Sequence, residues 1–149
     1  MKQWDMQHIG IFDINFDTGE RYWSAEFRRI LRVSDNIPAA LWTLLEHVHP
    51  NDRGEVLAFA MEPLQGQCPP HRSFEHRLLD PDGAVRWVHV EAGAAYRTGS
   101  EHDVVRIIGL VTEISGPTTP PCRTKTMVRD QQPENQPMMM AQSRHYRSV

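Results

Sequence analysis

"FEHRLLDPDGAVRWVHVEAG", residues 74–93, decides the fold class. Apolar and polar residues alternate in FEHRLL, Asp80-Pro81-Asp82-Gly83 is a strong turn sequence, and alternation resumes in AVRWVHVEAGAAY, residues 84–96. A period of two on both sides of a tight turn reads as a pair of antiparallel strands. In the second strand Val85, Trp87, His89 and Glu91 share one face, and Arg86, Val88 and Val90 share the other. Trp87 is expected to pack in the sheet, where truncation to alanine would cost roughly 3–5 kcal/mol.

Working outward, RTGSEHD (97–103) turns the chain again and VVRIIGLVTEI (104–114) supplies a third strand with a β-branched centre. Upstream, Ile9, Ile11, Phe12, Ile14 and Phe16 mostly alternate, Asp17-Thr18-Gly19 makes a turn, and Tyr22-Trp23 follow, which is a hairpin pattern. Ser24 is a good N-cap for AEFRRIL (25–31), whose Phe27, Ile30 and Leu31 fall on one helical face. AALWTLLEHV (39–48) is a second helix with Leu41, Leu44, Leu45 and Val48 aligned, and NDRGEVLAFAMEPL (51–64) is a third. QGQCPPHRS (65–73) reads as a loop. Strands and helices are thus segregated, giving an α+β domain: one five-stranded antiparallel sheet with three short helices on one face.

The composition suits a globular chain: 149 residues, 40% hydrophobic, 23% charged, formal net charge −3. Nothing in that balance points to nucleic acid or a membrane as partner, and no apolar run approaches the ~18 residues of a bilayer span. MKQWDMQHIG lacks the apolar stretch of a signal peptide, so the expected location is cytoplasmic. The charge divides unevenly, with a net of −6 over residues 1–116 and +3 over 117–149. The latter stretch holds five of the eleven prolines and almost no apolar periodicity, and it is expected to be a disordered tail. The expected division is a lead-in at 1–8, a domain at 9–116 and a tail at 117–149, in which Arg144, Arg147 and Met138–Met140 could meet an acidic partner. Cys68 and Cys122 both sit beside prolines, form no C-x-x-C pair and read as ordinary free thiols.

EHVHPNDRGEV (46–56) raises the question of chemistry, because His47, His49 and Asp52 lie close in sequence. A small metal-dependent enzyme built on them is one reading. However, helical side chains that share a face are three or four apart, so His47 and His49 diverge, and zinc needs three or four convergent ligands. The favoured reading is a corner between helices, with Pro50 opening the new one, His49 bonded locally and Asp52 complementing the helix dipole. No P-loop, nucleophile elbow, kinase nucleotide box or phosphoacceptor helix occurs, so the chain is read as a non-enzyme.

Four stretches in order, GIFDINFDTGERYWSAEFRRIL, VHPNDR, FEHRLLDPDGAVRWVHVEAG and VRIIGLVTEIS, resemble the PAS sensory domain with its PAC segment, over roughly residues 9–115. The resemblance implies a five-stranded sheet curling around a small helical layer, with a pocket between them. It implies a signal-transduction module of the kind found as the input domain of bacterial histidine kinases in two-component systems, sensing a small ligand or joining proteins as a homodimer or with a signalling protein in trans. Candidate pocket residues are Phe27, Leu31, Trp42, Val56 and Phe59 from the helices and Phe74, His76 and Val90 from the strands; packed core is the plainer reading of the same pattern. No cofactor is expected. Haem in some relatives is held by a histidine on the third helix, and 51–64 contains none, although His76 and His89 on strands could reach a pocket. The light-sensing subfamily's flavin needs a cysteine in a helical motif that Cys68 in GQCPPH does not match. Relatives also end Asp-Ile-Thr and continue into an output helix; here Glu113-Ile114-Ser115 runs into GPTTPP, where a glycine and three prolines interrupt helix. A single domain acting in trans, or a non-sensing dimerisation remnant of a truncated receptor, are the expectations that follow.

Overall fold

The computed structural model describes residues 8–118. The order is β1 (Ile9–Asn15), β2 (Arg21–Trp23), α1 (Ala25–Leu31), α2 (Leu41–His47), α3 (Arg53–Met61), β3 (His71–Leu79), β4 (Val85–Tyr96) and β5 (Val104–Ile114), with short 3-10 turns at Pro50–Asp52 and Glu62–Gln65. All five strands form one sheet in the order β2-β1-β5-β4-β3, and every neighbouring pair is antiparallel. The hairpin β1–β2 and the meander β3–β4–β5 therefore meet where β1 pairs with β5, over seven residues from Ile9↔Thr112 to Asn15↔Arg106. The helices carry the chain from the β2 edge to the β3 edge and cover one face. This is the α+β architecture expected from the segregated patterns.

Each element follows from its residues. Ser24 caps α1, its Oγ accepting from the Phe27 amide at 3.1 Å and also from the Ile11 amide at 2.8 Å, so one hydroxyl ties the helix to β1. Phe27, Ile30 and Leu31 are buried as their spacing predicts. Trp23 meets Phe27 edge-on at 5.1 Å between ring centroids. α1 lies unusually close to β1 because of Gly10: a Cβ there would come within 2.7 Å of the Phe27 Cα. The main core joins Trp23, Phe27, Ile30 and Leu31 to Val48, Val56, Leu78, Val88, Val90 and Val111. A smaller cluster of Cys68, Ala92, Val104 and Ile107 lies alongside, and the Tyr96 hydroxyl donates to the Cys68 carbonyl.

Three expectations change. β3 begins at His71 rather than Phe74, so the last third of the expected loop is strand. α3 stops at Met61, because Pro63 cannot continue an α-helix and the chain tightens into the 3-10 turn. Trp87 is half-buried on the outer face of β4, with the Arg77 guanidinium 5.6 Å from its ring centroid, instead of being packed in the core. β4 alternates as its sequence predicts, and its buried face is that of Val88, Val90 and Ala92. The expected disordered tail lies outside the described residues apart from Pro117 and Thr118, as do Cys122, Met138–Met140, Arg144 and Arg147.

Candidate functional site

At the helix corner the three residues that suggested a metal site point to three different partners. Nδ1 of His47 lies 2.9 Å from the Thr43 carbonyl. Nδ1 of His49 accepts from the Asn51 amide at 3.1 Å. Asp52 makes no cap bond to α3; it reaches across to β3, accepting from the Arg77 amide at 2.8 Å, from Nε at 3.0 Å and from Nη2 at 2.6 Å. Asp52 thus stands in the first turn as expected but satisfies none of the α3 amides. Burial works to raise its carboxyl pKa, but the Arg77 hydrogen bonds and charge prevail and hold it below the ordinary 3.8. Backbone pairing supports the same clasp: His49 N donates to Arg77 O at 3.0 Å, and Val48 bridges Leu78. Among the described residues, no group of three or more His, Cys, Asp or Glu is arranged to hold a metal ion.

A second clasp closes the β3–β4 turn. Asp80, 6% exposed, accepts from Nε of Arg86 at 2.9 Å and from Nη2 at 2.7 Å, while Arg32 stands 3.3 Å away. These hydrogen bonds hold the Asp80 carboxyl below its ordinary value.

Between helices and sheet lies a cavity of about 130 Å³. Seven of the eight residues singled out from the sequence line it: Phe27, Leu31, Val56, Phe59, Phe74, His76 and Val90. Trp42 does not; it is 59% exposed. α2 presents Leu41 and Leu44 to the cavity, and Trp42, about 100° further round the helix from Leu41, is turned to solvent. The sequence missed Phe12, Trp23 and Ile30, whose own periodicities could have named them. It also missed Arg72, which no apolar pattern marks. Arg72 is 9% exposed, its guanidinium 4.0 Å over the Phe59 ring, with Nη1 donating at 2.6 Å both to the Phe59 carbonyl and to Glu62 Oε1. Phe59 stacks on Phe74 at 5.1 Å and Phe74 on His76 at 5.4 Å. His76, 4% exposed, is held neutral by burial, which pushes its pKa below 6.5.

Two other sequence candidates lie elsewhere. His89 faces outward and does not reach the cavity: Nδ1 is 2.9 Å from Glu75 and Nε2 2.9 Å from Glu91, which also meets His71 at 2.7 Å. Its hydrogen bond with Glu91 raises its pKa. Cys68 is buried in the smaller cluster, outside the cavity wall, and burial pushes its thiol up.

A family model described as PAS fold matches residues 19–111. Blue-light-activated histidine kinases of Brucella ovis and Brucella abortus are 32% identical to the chain over 109 residues, covering 73% of this chain and 21% of each kinase. The chain thus spans about a fifth of the length of the curated relatives it matches. Among solved structures, an RNA-binding light-oxygen-voltage receptor superposes with a TM-score of 0.62 at 20% identity, over 83% of this chain and 34% of that one. A sensory box histidine kinase/response regulator from Burkholderia thailandensis gives 0.54 at 21% identity, over 95% and 92%. At those identities the likeness is one of fold.

Proposed function

The chain belongs to the PAS fold family, and we propose that this sensory domain binds a small apolar ligand in the cavity between its helices and its sheet. The observation that supports this is the cavity, about 130 Å³ with a mostly apolar wall. Interiors pack to near-crystalline density, so a void costs stability and favours an occupant. A dry cavity of about 150 Å³ in an unrelated protein takes up benzene, whereas drug-sized pockets start near 300 Å³. The matching occupant is one small ring. A three-ring flavin or a haem exceeds that space. Among the described residues no cysteine stands in the wall to form a flavin adduct, and α3 carries no histidine to ligate haem, so we propose that neither cofactor is used and that the domain senses without catalysing. The proposed domain spans 9–116 and works in the cytoplasm; no helix among the described residues is long and apolar enough to cross a membrane. Its proposed output is a histidine kinase, as in the Brucella relatives. The test is an absorbance spectrum of the purified protein with mass spectrometry of whatever denaturation releases. The expected result is no visible band, and a single-ring molecule either released or taken up saturably by the empty protein. A flavin or haem band would overturn the proposal.

A homodimer formed through the outer face of the sheet is a second proposal, favoured by one patch. Ile11, Ile108 and Leu110 are 38–44% exposed, and Ile11 stands opposite Leu110 in register. Light scattering should give a dimer for the wild type and a monomer for Leu110→Lys; a monomeric wild type would remove this proposal and favour a signalling protein in trans as the partner.

A further inference from the structure

The cavity wall has one polar atom whose chemistry is fixed and whose hydrogen bond is missing. His76 lies on the inward face of β3, 4% exposed, with its ring in the wall. Its Nδ1 is 3.3 Å from the Arg77 carbonyl. A carbonyl only accepts, so the hydrogen must sit on Nδ1, and the neutral ring then carries its lone pair on Nε2. Nε2 receives no hydrogen bond from the described residues. Nor is it sealed: the only buried side-chain polar atom without a partner among the described residues is Thr43 Oγ1. Nε2 is therefore not fully enclosed by protein, and the ring that carries it lines the cavity, which leaves it available as an acceptor.

We propose that the cavity selects a neutral single-ring ligand carrying one hydrogen-bond donor, a phenol, whose hydroxyl donates to Nε2 of His76 while its ring packs among Leu31, Val56, Val88 and Val90. This rests on the cavity being the sensing site, and it adds the chemical class that the site prefers. A ketone or a carboxylate would set lone pair against lone pair at Nε2, and a hydrocarbon ring would leave Nε2 bare in an apolar space. Burial opposes protonating the imidazole to suit an anion. The other cations in the wall do not supply an anion site of their own: Arg72 is neutralised by Glu62, and Arg21 is exposed to solvent.

The test titrates the wild type and His76→Phe, which keeps an aromatic ring in the stack, with phenol, toluene and benzoate, followed by 15N NMR. Phenol should shift the His76 Nε2 resonance as a neutral acceptor, and benzoate should bind more weakly than phenol. The ratio of phenol to toluene affinity should fall about tenfold in His76→Phe, the size of one hydrogen bond. An unchanged ratio with both rings still binding would overturn the role of His76 and leave the cavity as the sensing site. Benzoate binding more tightly than phenol would overturn it too, by making an arginine the handle. If none of the three binds, the donor preference and the sensing cavity fail together. Should His76→Phe not fold, the Nε2 resonance of the wild type decides alone: no shift on phenol binding overturns the proposal.

Discussion

Asp52 and Arg77 are 25 positions apart in sequence and share three hydrogen bonds. Both belong to stretches that carry the family resemblance, VHPNDR and FEHRLL, and the structure shows that the two stretches hold each other. Asp52→Ala leaves the Arg77 guanidinium and amide without their acceptor, and it should cost about 1.5–3 kcal/mol, nearer the low end because Arg77 is partly solvated. Thermal melting checks this, and an unchanged midpoint would show that the clasp contributes nothing. Two histidines give opposite pH dependences. The folded pKa of His76 is lowered by burial, so the unfolded chain takes up its proton first, and stability declines as pH falls below 6.5. The folded pKa of His89 is raised by its Glu91 hydrogen bond, so its contribution is present below 6.5 and disappears as pH rises through the folded value. Relative to wild type, His89→Gln should therefore lower the melting temperature more at pH 5.5 than at pH 8. A loss independent of pH would contradict the assigned charge state.

At the scale of elements, the helix α1 and strand β1 behave as one unit because Ser24 bonds both and Gly10 lets them touch. Gly10→Ala places a methyl against backbone that cannot yield, so α1 must lift from the sheet. The expected cost is roughly 1–3 kcal/mol, the usual range for overpacking, read by denaturant titration. A neutral effect would mean that α1 slides freely. The elements were legible where period and punctuation agree: Ser24 before AEFRRIL, and Asp80-Pro81-Asp82-Gly83 between two alternating runs. They were illegible where those signals fail. The start of β3 reads His71-Arg72-Ser73 directly after Pro69 and Pro70, so no apolar alternation announces it, although Arg72 points inward. α2 has no capping side chain at Ala40, and the leucine stripe alone did not reveal that Thr43 is buried while Trp42 is exposed.

At the scale of the whole molecule, the sheet has a helix-covered face and an outer face, and period two assigns residues to faces without saying which face is covered. Trp87 shows the consequence. With its ring half-buried beside Arg77 on the outer face, Trp87→Ala should lower stability by about 1–2 kcal/mol, from a cation–π contact and partial burial, and leave the domain folded. A loss near the ~3–5 kcal/mol of a core truncation would place the ring inside after all. The sequence by itself determined the element types, the antiparallel hairpins, the inward face of α1 and seven of the residues that line the cavity, because these depend on spacings of two, three and four along the chain. Only the tertiary structure decided the strand order β2-β1-β5-β4-β3, the Asp52–Arg77 and Asp80–Arg86 clasps, and the exile of Trp42 and His89 from the cavity. Those depend on which surfaces meet across long loops, and no local period records that.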